Sequence, residues 1–173
     1  MPLLPLLPLL IESILLCGLF TALVLPPLYR NPLSQIANYP AAIRARVEVL
    51  PQYRDILPQV KRKKRAQKIA FAAAAVFAFA AVAYFSGKRT FGAAFVHLFS
   101  LAFAVNLYDL IVLDMLIFCR DKRLRIPGTE DMERDYRNPI PHIKAAVKGT
   151  AAGVILAAPA AGLAELAALI RLP

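Results

Sequence analysis

Lys61-Arg-Lys-Lys-Arg65-Ala-Gln-Lys68 runs straight into Ile69-Ala-Phe-Ala-Ala-Ala-Ala-Val-Phe-Ala-Phe-Ala-Ala-Val-Ala-Tyr-Phe-Ser86. The first block is the densest positive charge in the chain; the second holds no Asp, Glu, Lys or Arg. A hydrocarbon core of ~30 Å is crossed by a helix of ~20 mostly apolar residues. The second block therefore reads as a membrane span and the first as its cytoplasmic anchor, since Lys and Arg gather on the inner side of spans.

Three further stretches of the same kind lie at about residues 8–27, 90–119 and 142–172, and the intervals between them are too polar for a fifth. With 173 residues, 59% of them hydrophobic, the chain has room for one domain, and water is not its main solvent. The expectation is all-α, a four-helix transmembrane bundle. Soluble-enzyme readings are excluded by the shortage of polar residues outside the loops.

The net charge of +10 is arranged in a way that argues against nucleic acid. Of the 21 basic residues, ten fall between Arg30 and Lys68 and eight between Arg120 and Lys148. Both clusters flank apolar spans, so they orient the protein and attract anionic lipid headgroups. Loops 28–68 and 120–141 are expected in the cytoplasm, with the N-terminus and C-terminus outside. No Lys or Arg precedes Arg30. The first span therefore lacks the positive start of a cleaved signal peptide and is expected to be retained. Cys17 in span 1 and Cys119 at the inner end of span 3 are too differently placed to pair.

Pro2, Pro5 and Pro8 recur every three residues and suggest an extended lead-in, with helix 1 starting near Pro8 and ending at Pro26-Pro27. Residues 41–50 read as a short interfacial helix behind Pro40, or as an ordered loop on the inner face of the bundle. Spans 2 and 4 are rich in Ala, and span 4 carries Gly149-x-x-x-Gly153 and Pro159. Small residues let helices approach closely in lipid. Close packing within the chain is the simpler use of that pattern, and a homo-oligomer face is the other.

The polar residues of span 3 carry the functional signal. Asn106-Leu-Tyr-Asp109-Leu-Ile-Val-Leu-Asp114-Met-Leu-Ile-Phe-Cys119 puts two carboxylates at membrane depth, where ionisable groups are costly and functional by default. At ~100° per residue Asn106, Asp109 and Asp114 occupy a wedge of ~140°. Asp114 and Asp109 would lie ~9 Å and ~16 Å inward from Arg120 at 1.5 Å per residue. The polar pocket this implies opens towards the cytoplasm. Pro127-Gly128 is a turn signal of type II geometry, and Glu130, Tyr136 and His142 follow it.

These residues admit a divalent metal or an acid/base pair. In that reading Asp109 and Asp114 bear charge or ligate, Asn106 supports them, His142 carries a proton, Glu130 covers the site, and Tyr136 and Arg120 contact the ligand. The plainer alternative is that the aspartates pair with Arg120, Arg123 or Lys144 and pin the bundle. Asp-x4-Asp names no particular metal or cofactor, and no P-loop, His-Glu-x-x-His, Gly-x-Ser-x-Gly or Cys-x-x-Cys is present. A second group, Glu12, His97 and Glu165, shares one depth near the outer face. It is either a stage in a proton pathway or three residues reaching separately for headgroups.

The span 3 motif, with Ile126-Pro-Gly-Thr-Glu130, the His142 region and Tyr39-Pro40, resembles a set of small bacterial integral membrane proteins over about residues 39 to 149. The resemblance implies a bacterial cytoplasmic membrane and carries no assigned activity or catalytic residues. Three functions follow as expectations: a site that binds or processes a lipid or small charged molecule at the inner leaflet, a small proton-coupled transporter, or a non-catalytic membrane subunit or scaffold.

Overall fold

A computed structural model describes residues 6–170, with side chains throughout except at positions 61, 63–66 and 68. All regular structure among them is helical. The long elements are α1 (Leu6–Arg30), α3 (Ile56–Phe85), α4 (Phe91–Tyr108) continued by a π-helix (Asp109–Phe118), and α6 (Ile140–Ile170). Between them lie the short helices α2 (Ala41–Val49) and α5 (Glu133–Tyr136) and three 3-10 turns.

Three of these helical stretches, Leu6–Arg30, Phe91–Phe118 and Glu133–Ile170, are long and apolar enough to cross a membrane. The fourth apolar segment, Ile69–Phe85, is shorter and forms the second half of α3, while the basic run before it continues the same helix. Large apolar side chains stand outward on all of them: Ile14 is 70% exposed, Phe77 67% and Ile155 70%. Such surfaces are far more apolar than a soluble monomer presents to water.

Two cores hold the molecule together. In one, Ala80, Ala83, Ala94, Ala157, Ala160, Ala161 and Ala164 surround Leu98 and Leu101. Here α6 packs chiefly on α4 and α3. The alanines allow close backbone approach, so dispersion contact substitutes for a hydrophobic drive that lipid cannot supply. The Gly149 and Gly153 face of α6 is turned to α4, where a Cβ on Gly149 would collide with the Asn106 amide and one on Gly153 would lie 3.3 Å from Ala102.

The other core joins the two loop regions. Leu28, Ile36, Tyr39, Ile43, Val47 and Leu57 from the first meet Phe118, Leu124, Ile126 and Tyr136 from the second. Tyr39 Oη donates to the Leu124 carbonyl at 2.7 Å and Tyr53 Oη to that of Pro127 at 3.0 Å. Helix α2 buries Ile43 and Val47 completely in this layer, while Arg44 and Arg46 remain exposed. It is thus both a helix and part of an ordered cap on the bundle.

Helix α1 departs from expectation by continuing through Pro26 and Pro27 to Arg30. The missing N–H groups cost two helical hydrogen bonds. Opposing that cost, Leu28 is buried in the loop core and Tyr29 Oη donates to Asp121 Oδ2 at 2.7 Å. Of the extended lead-in expected through Pro2, Pro5 and Pro8, residues 1–5 lie outside the described residues, and α1 already runs from Leu6.

Candidate functional site

The C-terminal end of the Phe91–Phe118 stretch is built on a π-helix. Its hydrogen bonds close between residues five apart, as in Cys119 N to Asp114 O at 2.9 Å. Residues i and i+5 then become neighbours on one face, whereas α-helical geometry would set them ~140° apart. Asp109, Asp114 and Cys119 have that spacing. π-Helical segments are rare and concentrate at functional sites.

His142 reaches this face from α6. The start of α6 is set locally: Asn138 Oδ1 accepts from Ile140 N at 3.0 Å, with Pro139 between them. A capping Asn followed by Pro is a standard helix opening, and it places His142 one turn in. The imidazole is buried, and its Nδ1 lies 3.0 Å from Asp114 Oδ1. It packs against Phe118 with ring centroids 5.1 Å apart, and Cys119 adjoins it on the same face. Nε2 is fully buried and has no hydrogen-bond partner among the described residues. A buried nitrogen left unpaired costs ~1–3 kcal/mol, so it calls for an explanation.

Two cavities border this column. One, of about 530 Å³, is lined by Met115, Cys119, Arg120, Arg137 and Pro139. Arg137 is shared with Glu133 at 2.7 Å, whereas Arg120 makes no ion pair among the described residues. The other, of about 400 Å³, is an apolar groove between α1, α3, α4 and α6. Leu19, Leu23, Phe71, Phe79 and Ala152 line it, and Asp109 and Asn106 form its polar end.

No family model, curated protein or solved structure matches this chain. The site is therefore read from its own geometry.

The residues singled out from sequence fall into two sets. Asp114 and His142 meet directly, Asp109 ends the groove, and Arg120 lines the adjoining cavity. Asn106 Nδ2 donates to the Ala146 carbonyl at 2.9 Å and to Thr150 Oγ1 at 3.1 Å, pinning α4 to α6 one level below. Glu130 and Tyr136 instead build the cap. Glu130 accepts from Gly128 N at 3.0 and 2.9 Å, which holds its carboxyl below the usual range. Tyr136 Oη accepts from Ile126 N at 3.0 Å and meets Thr129 Oγ1 at 2.8 Å. Thr129 spends its own proton on the Ile126 carbonyl at 2.7 Å, so Tyr136 is the donor of that pair.

Among the described residues no group of three or more His, Cys, Asp or Glu side chains has the geometry to hold a metal ion. Asp109 has no ion pair there, and Arg123 is taken by Asp121 at 2.7 Å. The pinning partner of Asp114 is thus His142, not an Arg or Lys. Sequence reasoning missed Cys119 and Arg137; the even five-residue spacing of Asp109, Asp114 and Cys119 was the available signal.

The second polar group, Glu12, His97 and Glu165, divides. Glu12 Oε2 and His97 Nε2 approach to 2.7 Å inside the bundle, and Ser86 Oγ donates to Glu12 Oε1 at 2.5 Å. The Glu12–His97 contact is off the hydrogen-bond axis, so it is an electrostatic approach and not an aligned bond. Glu165 stands apart from this pair and accepts from Phe91 N at 3.1 Å, capping α4 where Thr90 makes no side-chain cap.

Proposed function

We propose that this protein crosses the membrane four times, with both termini outside and the two basic loops in the cytoplasm, and that it binds an anionic lipid headgroup at the inner leaflet. In this reading it is a bacterial cytoplasmic-membrane protein, as the resemblance of its span 3 motif to small bacterial membrane proteins implies. The observation that supports the site is the cavity of about 530 Å³ at the C-terminal end of span 3, walled by Arg120 and Arg137 with Met115, Cys119 and Pro139.

The division of labour follows from the chemistry of the walls. Guanidinium groups recognise phosphate through paired, charge-assisted hydrogen bonds. The apolar groove, continuous with outward-facing Leu19, Leu23 and Phe71 at 55%, 53% and 62% exposure, takes an acyl chain from the surrounding bilayer.

Retention of phosphatidylglycerol over phosphatidylcholine by the detergent-purified protein, read by native mass spectrometry, tests this. Arg120→Gln with Arg137→Gln is expected to reduce the preference at least about tenfold, since each charged hydrogen bond contributes ~1.5–3 kcal/mol. An unchanged preference would remove the headgroup site.

A second reading, a proton-coupled carrier, is supported by the buried Glu12–His97–Ser86 group in the opposite half of the bundle. Proton flux in liposomes that persists in Glu12→Gln and His97→Gln variants would eliminate it. A scaffold role predicts a stoichiometric partner on purification and no lipid preference.

A further inference from the structure

The two carboxyls of the π-helix differ in their surroundings. Asp114 Oδ1 lies 3.0 Å from the Nδ1 of His142. Asp109, five residues earlier, makes no hydrogen bond or ion pair among the described residues. A carboxylate at membrane depth without a counterpart is costly, which directs attention to what adjoins it. Asp109 forms one end of the groove of about 400 Å³ between α1, α3, α4 and α6, a volume within the ~300–1,000 Å³ of small-molecule sites. Leu19, Leu23, Phe71 and Phe79 are among its apolar walls. Helix α1 is seated on α4 and α3 on α6, so the groove runs between two separately held rods. Leu19, Leu23 and Phe71 also stand on the outer surface, and the groove therefore opens sideways, where hydrocarbon would surround the bundle.

The polar end of this groove offers acceptors. Asn106 Nδ2 is committed to the Ala146 carbonyl at 2.9 Å and to Thr150 Oγ1 at 3.1 Å. Asn106 Oδ1 lies on the side of Gly149, which also lines the groove. Among the described residues no Lys or Arg lines it. An end built from a carboxylate and an amide oxygen repels phosphate and suits a positive group that donates hydrogen bonds.

We propose that the groove binds an amphiphilic ammonium, a protonated long-chain alkylamine, with its chain along the apolar walls and its N–H groups on the Asp109 carboxylate and Asn106 Oδ1. The anionic headgroup belongs to the other cavity, with Arg120 and Arg137. Only the apolar walls are shared, so the amine and the acyl chain compete for them. An alcohol of equal length fills the same walls but leaves the carboxylate uncompensated. Selection of amine over alcohol is therefore the signature of the site.

Binding of tritiated dodecylamine and of tritiated dodecanol to the full chain in detergent, read by scintillation proximity at neutral pH, tests this. The amine is expected to bind at least ~10-fold more tightly than the alcohol, the usual worth of a charge-assisted hydrogen bond. Asp109→Asn should abolish that preference while the affinity for dodecanol holds, a split that a merely structural role for Asp109 would not produce. Equal affinities in the native chain, or a preference kept in Asp109→Asn, overturns the site. Arg120→Gln with Arg137→Gln, which removes the headgroup cavity, should leave the preference unchanged; a preference lost there and kept in Asp109→Asn overturns the assignment to Asp109. If Asp109→Asn fails to fold, the native chain is treated with dicyclohexylcarbodiimide in the presence of dodecylamine. A dodecylamide mapped to Asp109 by peptide mass supports the site, and coupling elsewhere or nowhere overturns it.

Discussion

The Asn106 carboxamide and Gly149 are matched by volume as well as by hydrogen bonding. A Cβ at position 149 would overlap the amide that bonds Ala146 and Thr150. Gly149→Ala is expected to destabilise the protein by ~1–3 kcal/mol, the usual cost of overpacking. Asn106→Ala removes the overlap and two hydrogen bonds together, so the double variant should fall short of the sum of the singles in detergent melting curves. Asp121 sets a pH dependence at the same scale. Its hydrogen bond with Arg123, then that from Tyr29, holds the carboxyl well below the usual carboxylate range. Because the folded value is lowered, the contribution to stability is complete above the ordinary carboxyl pKa of ~3.9 and is lost as pH falls further. The melting temperature of the native chain should drop more steeply below about pH 4 than that of Asp121→Asn; parallel curves would show that the pair contributes nothing.

Among the elements, the π-helix was the least legible. Asp109 and Asp114 were recognisable as members of one polar recess, but α-helical spacing puts them at the two edges of its ~140° wedge. Hydrogen bonding five residues apart depends on what packs against the helix, and no propensity in Asp109–Phe118 encodes it. The turn at Pro127-Gly128 lies at the opposite extreme. Gly128 has φ 90° and Thr129 N bonds the Ile126 carbonyl at 3.1 Å, the type II geometry that the dipeptide announces. Leu50 Cδ1 from the first loop sits 2.8 Å from where a Cβ of residue 128 would be. Gly128→Ala thus meets both backbone strain and a clash, and a loss of ~1–3 kcal/mol is expected. Gly128→Ala with Leu50→Ala should recover only the steric part, since φ remains positive; full recovery in a melting assay would show the strain to be negligible.

For the molecule as a whole, the proposed orientation rests on where charge is placed. Cysteine labelling from outside intact cells should miss positions 61–65 and reach the turn at Lys88, and the opposite pattern would invert the topology. The sequence by itself determined that the chain is helical, where its apolar segments lie and which polar residues stand at their ends. Those properties depend on composition and on lengths set by the bilayer, which three of the four segments satisfy alone. Only the tertiary structure decided that Asp114 meets His142 and that Glu12 meets His97. It likewise decided that two loops 85 residues apart share one core through Tyr39 and Leu124. Such contacts arise from the packing of distant segments, where the burial of Leu28 or Tyr136 outweighs local preferences such as the stop at Pro26-Pro27. Sequence spacing along one helix does not contain them.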